Sequence, residues 1–398
     1  MRSLVMDKLE TIYFPYFYNL IRVLSEEGRQ SFVAYYPELV RSALYHTLDK
    51  VDYMDDTRTA NQINNFITLI INAGFSDFSG LYFKKSKLDF YCGEISYLHH
   101  IDFSRANLLN TVFDEFVLKC CFKQANLEGA SFKNLVLIYL DFEEANLLNS
   151  NFEGSNLTRT NFKKANLTDA KFKSTTLTDV NFEDVSLLNG NFERSNLKSI
   201  KFIKVNLESA SFQCADLAET KFINSNLENV DFFLAELKEV YFQNTRLVRS
   251  NFEKALLYFI DFSKVLLQSA NFQDTEILQG ADFRYAKLQG ANFSNVNLSR
   301  SLLTGAALDE ATFKGATLTI QQLFKLYNQG IKAFEAIKLV GILYDTSTLQ
   351  TLEGACLSSQ ALNHLIRQGF QNFQNNDLHS SLSEVPGNFF IRRLGNNH

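Results

Sequence analysis

The chain has 398 residues and a formal net charge of −5, too small a surplus at this length to point to a strongly acidic or strongly basic partner. Trp is absent, Pro occurs three times, at Pro15, Pro37 and Pro386, and the five cysteines form no CxxC pair, which fits a reducing, cytoplasmic folding compartment. The longest strongly apolar run, Phe66 to Ile71, is far too short to span a bilayer, and the start meets acidic residues too early for a secretory leader. Secretion by a leaderless route stays compatible with this.

In chain order, residues 1–75 read as a helical N-terminal cap. Pro37-Glu38 suits a first helical turn, with Val40, Leu44, Leu48 and Val51 on one face. A second segment carries Ile63, Phe66, Ile67 and Ile70, and Gly74 stands where a C-terminal cap belongs. From residue 76 to 318 a five-residue period takes over. It begins near Phe78, Phe83 and Leu88, falters across Tyr91 to Tyr97, and resumes at Leu98, Phe103, Leu108 and Phe113. Between Phe122 and Ile277 the central position alternates Phe and Leu without a break until that Ile. Two slips interrupt the count: one residue is missing near Cys120 and Cys121, and one is added around Glu276 to Gly280. After Leu318, residues 319–398 read as a helical C-terminal cap. Thr319 caps one helix with Leu323 and Leu326, and Ser358 or Ser359 caps another with Leu362, Leu365 and Ile366. Polarity rises from about Gln371, which reads as a mobile tail.

A period of five fits neither a helix nor a flat strand, and it marks a solenoid. Two residues before each centre the side chains are small or β-branched, as at Ala125, Ala130, Ala145, Ser155 and Thr160. Centre and small residue therefore point inward together, as alternate residues of a short strand do. Asn or Asp often stands one before the centre, where its side chain can bond nearby backbone in a turn. An even number of sides puts Phe above Phe and Leu above Leu, so four sides fit best. That gives about 20 residues per coil and a rise of roughly 4.8 Å.

The units Ala125-Asn126-Leu127-Glu128-Gly129 and Ala165-Asn166-Leu167-Thr168-Asp169 closely resemble the A(N/D)LXX consensus of the pentapeptide-repeat family. The resemblance covers about 60% of the chain and implies a right-handed quadrilateral β-helix, a β-solenoid flanked here by helical regions. It also brings a functional expectation, because some members resemble B-DNA in size and charge and act on type II topoisomerases. Duplex mimicry demands a strongly acidic surface. From Lys119 to Lys314, however, about 22 basic residues face about 24 acidic ones. That balance disfavours the mimic, and the lack of a basic stripe makes nucleic acid an unsuitable partner.

No catalytic or metal-binding constellation emerges, and no cofactor is expected. His99-His100 with Asp102 lacks a third spaced ligand, and surface histidines account for the pair. Glu143-Glu144 and Glu183-Asp184 occupy outward positions that solvated faces explain, and Cys120 falls in an inward slot. The exception lies outside: Phe233, Leu234, Tyr241, Val248, Leu256, Tyr258, Phe259 and Leu266 are apolar at outward positions within two coils. Either the C-terminal helices cover this patch or a partner binds it. The leading expectation is a non-catalytic protein-interaction scaffold with Phe233, Leu234, Tyr241, Val248, Tyr258 and Phe259 as partner-binding residues. A homodimer through a terminal cap and a bacterial effector acting on a host protein are two forms of that reading. A topoisomerase regulator is the alternative.

Overall fold

The computed structural model describes residues 21–41, 44, 67, 69–70, 73–79, 81, 87–88, 98–99, 102–106, 108–109, 112–113, 117–118, 120–331, 333–334, 337–340, 356–358, 378–380 and 388–391. The chain forms two compact units, Met1–Asn196 with Lys204–Asn206, and Leu197–Ile203 with Leu207–His398.

In the first unit the repeat becomes a four-sided coil. Parallel bridges join residues twenty apart, as Asn126 with Asn146 and Ser131 with Asn151. Phe122 donates its N–H to the Asp141 carbonyl at 2.6 Å, and Gln124 donates to the Glu143 carbonyl at 2.9 Å. The corner closes through the Ala125 N–H on the Phe122 carbonyl at 3.0 Å. The residue two after each centre sits in the left-handed region, with φ of 59° at both Gln124 and Glu144. That conformation costs an L-residue ~1–2 kcal/mol, and the ladder bond made by its own N–H offsets the cost. The residue before each centre serves as expected: the Asn126 side chain accepts from the Glu128 N–H and from the Asn146 amide above it, at 3.3 and 3.1 Å.

Four sides are confirmed by the core. Phe122 stacks on Phe142 with ring centroids 5.0 Å apart, and Phe132 stacks on Phe152 at the same distance. Phe122 and Phe132 meet edge-on across the interior, with planes 82° apart. Both arrangements suit the ring quadrupole, and the packing leaves Leu127, Leu137 and Leu147 fully buried in columns of their own. Cys120 is buried in its inward slot.

Strands β1 (Lys87–Leu88), β2 (Leu98–His99), β3 (Val112–Phe113) and β4 (Val117–Leu118) give the early register. Leu88 pairs with Phe113 and Asp77 with Asp102, twenty-five residues on, five more than the later step of twenty, and the faltering stretch from Tyr91 to Tyr97 lies outside the described residues. The missing residue expected near Cys120 and Cys121 falls earlier. Phe113 stacks on Phe132 across nineteen residues, whereas Val117 pairs with Leu137 across twenty. The shortfall is therefore within residues 114–116, also outside the described residues. Further strands are β5 (Val136–Ile138), β6 (Asn156–Thr158), β7 (Thr176–Thr178) and β8 (Asn181–Glu183).

Helix precedes the coil, as expected. Helix α1 (Glu26–Tyr35) is capped by Ser25, whose hydroxyl accepts the Gly28 N–H at 3.1 Å. A helical segment starts at Pro37 and buries Val40 and Leu44. Gly74, at φ 92°, ends the helical residues around Ile70 by a Schellman turn, with the Phe75 N–H on the Ile70 carbonyl at 2.9 Å. Leu48, Val51, Ile63 and Phe66 lie outside the described residues.

The second unit continues the same geometry through β9 (Lys201–Ile203), β10 (Lys221–Ile223), β11 (Glu236–Lys238), β12 (Tyr241–Gln243), β13 (Leu256–Asp261) and β14 (Glu276–Asp282). Phe202 stacks on Phe222 at 5.0 Å and Phe232 on Phe252 at 4.9 Å. The added residue appears where expected. The β13–β14 register shifts between Tyr258 and Ile260, opposite Gln279-Gly280, yet Phe262 still stacks on Phe283 at 5.3 Å. Gly280 has φ 84°, and a Cβ there would lie 2.3 Å from the Arg300 carbonyl oxygen, so only glycine fits the bulge.

Past β15 (Thr317–Thr319), Thr319 caps helix α2 (Ile320–Asn328) in a capping box with Gln322, and Leu323 and Leu326 are buried. The remainder differs from the expected helical cap. Strand β16 (Ala333–Phe334) is followed by β17 (Lys338–Val340), which adds to the ladder on Thr317–Thr319. Strands β18 (Cys356–Ser358), β19 (Leu378–Ser380) and β20 (Asn388–Ile391) form a sheet with β16. Consecutive Phe389-Phe390-Ile391 favour strand through their bulky and β-branched side chains. The helix expected to contain Leu362, Leu365 and Ile366 lies outside the described residues.

Candidate partner-binding surface

The outward columns of the first unit are charge ladders. Lys123 pairs with Glu143 at 2.6 Å, and Lys163 with Glu183 at 3.0 Å. On the opposite side Lys133 pairs with Glu153 and Lys173 with Glu193, at 3.0 and 2.9 Å. Like charges are thus kept two coils apart, the arrangement Coulomb repulsion favours in a parallel ladder. Glu144 accepts from Gln124 and Lys164, which together hold its carboxyl below the ordinary range. Of the carboxylates that stood out in the sequence, Glu143, Glu144 and Glu183 are therefore members of ladders. Asp102 accepts the Ser104 N–H at 2.8 Å as a turn residue, His99 lies in β2, and His100 lies outside the described residues. Among the described residues, no group of three His, Cys, Asp or Glu side chains could hold a metal ion.

Register assigns each apolar outward residue to a side. With the side of Phe122 as the first, Leu256 and Tyr258 flank Leu257 on the fourth, and Phe259 turns the following corner. Tyr241 opens the first side and pairs with Asp261. Tyr241, Tyr258 and Phe259 therefore share one corner, with Phe259 55% and Tyr241 43% exposed. The Tyr258 ring meets Phe259 edge-on at 4.6 Å, and Lys238 lies over Tyr258 at 5.8 Å. Phe233 and Leu234 sit at the other end of the fourth side, where Lys254 covers the Phe233 ring at 5.4 Å and Leu234 is exposed. Val248 and Leu266 flank Leu247 and Leu267 on the second side, across the coil from Tyr258. The expected single patch is thus divided among sides.

Two exposed residues extend the shared corner and were not singled out from the sequence. Leu278 pairs with Tyr258, and Leu302 bridges Asp282. Leu278 keeps its column because the added residue follows it, at Gln279-Gly280, and Leu302 takes its column from the twenty-residue step from Asp282. Beside the bulge a groove of about 270 Å³ opens between Phe259, Gly280, Arg300 and Leu302.

A four-sided parallel β-helix with five residues per side is the class these coils define. The sequence profile of the pentapeptide repeat region matches residues 96–182, 125–202, 175–252 and 195–272, and that of pentapeptide repeats (8 copies) matches residues 277–319. The chain belongs to the pentapeptide-repeat family, whose right-handed quadrilateral β-helix is its fold. No curated protein sequence matches it. Among solved structures, HetL, a pentapeptide repeat protein involved in heterocyst differentiation regulation from the cyanobacterium Nostoc sp. strain PCC 7120, is 26% identical. It covers 56% of this chain and 89% of its own, with a TM-score of 0.31. A pentapeptide repeat protein from the cyanobacterium Cyanothece 51142 is 24% identical over 24% of this chain and 67% of its own, with a TM-score of 0.22. QnrB1, a plasmid-mediated fluoroquinolone resistance protein, is 18% identical over 56% of this chain and 97% of its own, with a TM-score of 0.20. Among the described residues no helix is long and apolar enough to cross a membrane.

Proposed function

We propose that the protein is a non-catalytic protein-interaction scaffold that presents the Tyr241–Tyr258–Phe259 corner to a protein partner. The observation that carries this reading is that charge ladders line opposite sides of the coil, while the corner of Tyr241, Tyr258 and Phe259 gathers aromatic rings, two of them open to solvent, on a rigid backbone. Aromatic anchors of that kind dominate interface energetics. A host protein, for a bacterial effector, and a second copy of the chain are two partners that fit.

The test is affinity capture followed by identification and titration of the recovered partner. Tyr241→Asp with Phe259→Asp is expected to abolish saturable binding, while Val248→Asp on the opposite side leaves it intact. Equal binding by both variants would remove the corner from the proposal. Turnover by the purified protein, lost on replacing His99 or His100, would overturn the non-catalytic reading. Mimicry of duplex DNA toward a type II topoisomerase needs continuous acidic columns, whereas Lys and Glu alternate along the ladder from Lys123 to Glu183. Gyrase supercoiling is accordingly expected to be unchanged at stoichiometric excess of the protein.

A further inference from the structure

The groove beside the bulge does not end at Leu302. A second groove of about 310 Å³ lies between Arg300, Leu302, Thr304, the α2 residues Gln322 and Lys325, and the C-cap Gln329. The two share Arg300 and Leu302 and so form one trough that crosses the stacked coils from Phe259 to α2. Three successive coil steps of ~4.8 Å make that path roughly 14 Å, about four residues of extended chain.

Its chemistry is uneven. The rims are apolar, with Phe259 55% and Leu302 49% exposed. Of its two lining carboxylates, Asp261 only accepts the Ser263 N–H at 2.8 Å and keeps its charge, whereas Asp282 is already paired, with Arg284 at 2.6 Å. The cations are not. Lys325 gives its ammonium only to the Thr304 hydroxyl, at 2.9 Å, and the Arg300 guanidinium makes no hydrogen bond or ion pair among the described residues. The floor offers little backbone, because the Ser301 hydroxyl takes up the Ala281 N–H that the bulge releases, at 3.2 Å. Recognition here falls to side chains and not to strand addition.

Resting on the scaffold reading, we infer that this trough binds an extended, acidic segment of a protein partner in which a carboxylate stands beside a bulky apolar side chain. The carboxylate meets the fork of Arg300, with Lys325 as the second cation, and the apolar group lies against Phe259 and Leu302.

The experiment uses the full chain and fluorescein-labelled acetylated peptide amides, followed by fluorescence anisotropy. The Glu-Phe-Glu-Phe-Glu peptide is expected to bind saturably, while Glu-Ser-Glu-Ser-Glu and Lys-Phe-Lys-Phe-Lys bind at least tenfold more weakly. Arg300→Glu is expected to weaken the first peptide by at least about tenfold, some 1.4 kcal/mol, with an unchanged melting temperature. Lys325→Glu should weaken it as well. Undiminished binding by Arg300→Glu would overturn the inference, as would equal binding of the Glu-Ser peptide or competition by oligothymidylate, either of which marks a general polyanion surface. Partner capture that survives Arg300→Glu but is lost with Tyr241→Asp and Phe259→Asp would leave the scaffold reading in place and sink this recognition alone.

Discussion

Serine and threonine share the small inward slot, two residues before the centre, and their hydroxyls meet different fates. Ser155 donates to the Phe152 carbonyl at 2.6 Å within its own turn, whereas Thr275 reaches back one coil to the Phe252 carbonyl at 2.7 Å. Ser150, Thr160 and Thr245 are buried with no hydrogen-bond partner among the described residues. A desolvated hydroxyl without a partner carries a penalty that an isosteric methyl avoids. Thr160→Val is therefore expected to raise stability by about 1 kcal/mol, read as a higher urea midpoint at constant slope. Ser301 is the converse case, since its hydroxyl accepts the Ala281 N–H freed by the bulge. Ser301→Ala leaves that donor buried and is expected to cost about 1–3 kcal/mol in the same titration. If the two substitutions moved the midpoint in the same direction, the distinction between idle and employed hydroxyls would fail.

At the scale of elements, the first coil has an open edge, and an arginine covers part of it. In later coils the carbonyl before the centre accepts the central N–H of the coil beneath, as Asp102 does from Phe78 at 2.7 Å. The carbonyl after the centre accepts the N–H of the left-handed residue, as Lys123 does from Arg105 at 2.9 Å. Asp77 and Ser79 have the same two carbonyls, and Arg41 donates to both through its two guanidinium nitrogens. One planar fork thus imitates two backbone donors of an absent coil. Arg41→Ala is expected to bare this edge and favour end-to-end association, seen as concentration-dependent growth of mass in light scattering. Arg41 also sits 2.9 Å from the Asp77 carboxylate. Burial raises the Asp77 pKa, but the hydrogen bonds from Ser79 and the Arg41 charge outweigh it and hold the group below its ordinary 3.8. A carboxyl depressed in the folded state adds stability above its unfolded pKa and loses it as pH falls through the folded one. The contribution is therefore present at neutral pH and fades below about pH 4, so the gap in melting temperature between wild type and Asp77→Asn should close there. None of this was legible in the sequence, because Arg41 and Ser79 are joined only by the fold. The inward Phe and Leu were legible because burial and period depend on local spacing alone. The outer surface was not: Val248 and Tyr258 lie ten residues apart and face opposite ways, and Leu278 joins the corner only once the bulge is placed after it, at Gly280.

Along most of the coil like side chains stack, although Leu88 lies against Phe113 and Phe283 against Leu303. In the first unit the chain meets one disturbance of the period, a step of twenty-five residues from Asp77 to Asp102 and from Leu88 to Phe113. Phe78 still lies against Phe103 at 5.4 Å, so register was restored within a single coil. Engineered duplications can test what holds the register inside the well-packed stretch. Duplicating residues 141–160 adds one whole coil, keeps Phe152 and Phe162 in their columns, and buries further aromatic surface. Its product is expected to melt at or above the wild-type temperature and to resist trypsin as wild type does. Duplicating residues 156–160 alone adds one side and one arginine. The five residues should leave the ladder as a loop, so that limited trypsinolysis cuts at the duplicated Arg159 while the flanking coils stay protected. Equal protection of both products would mean that the coil tolerates Phe over Leu, and that stacking of like residues is not what holds the register.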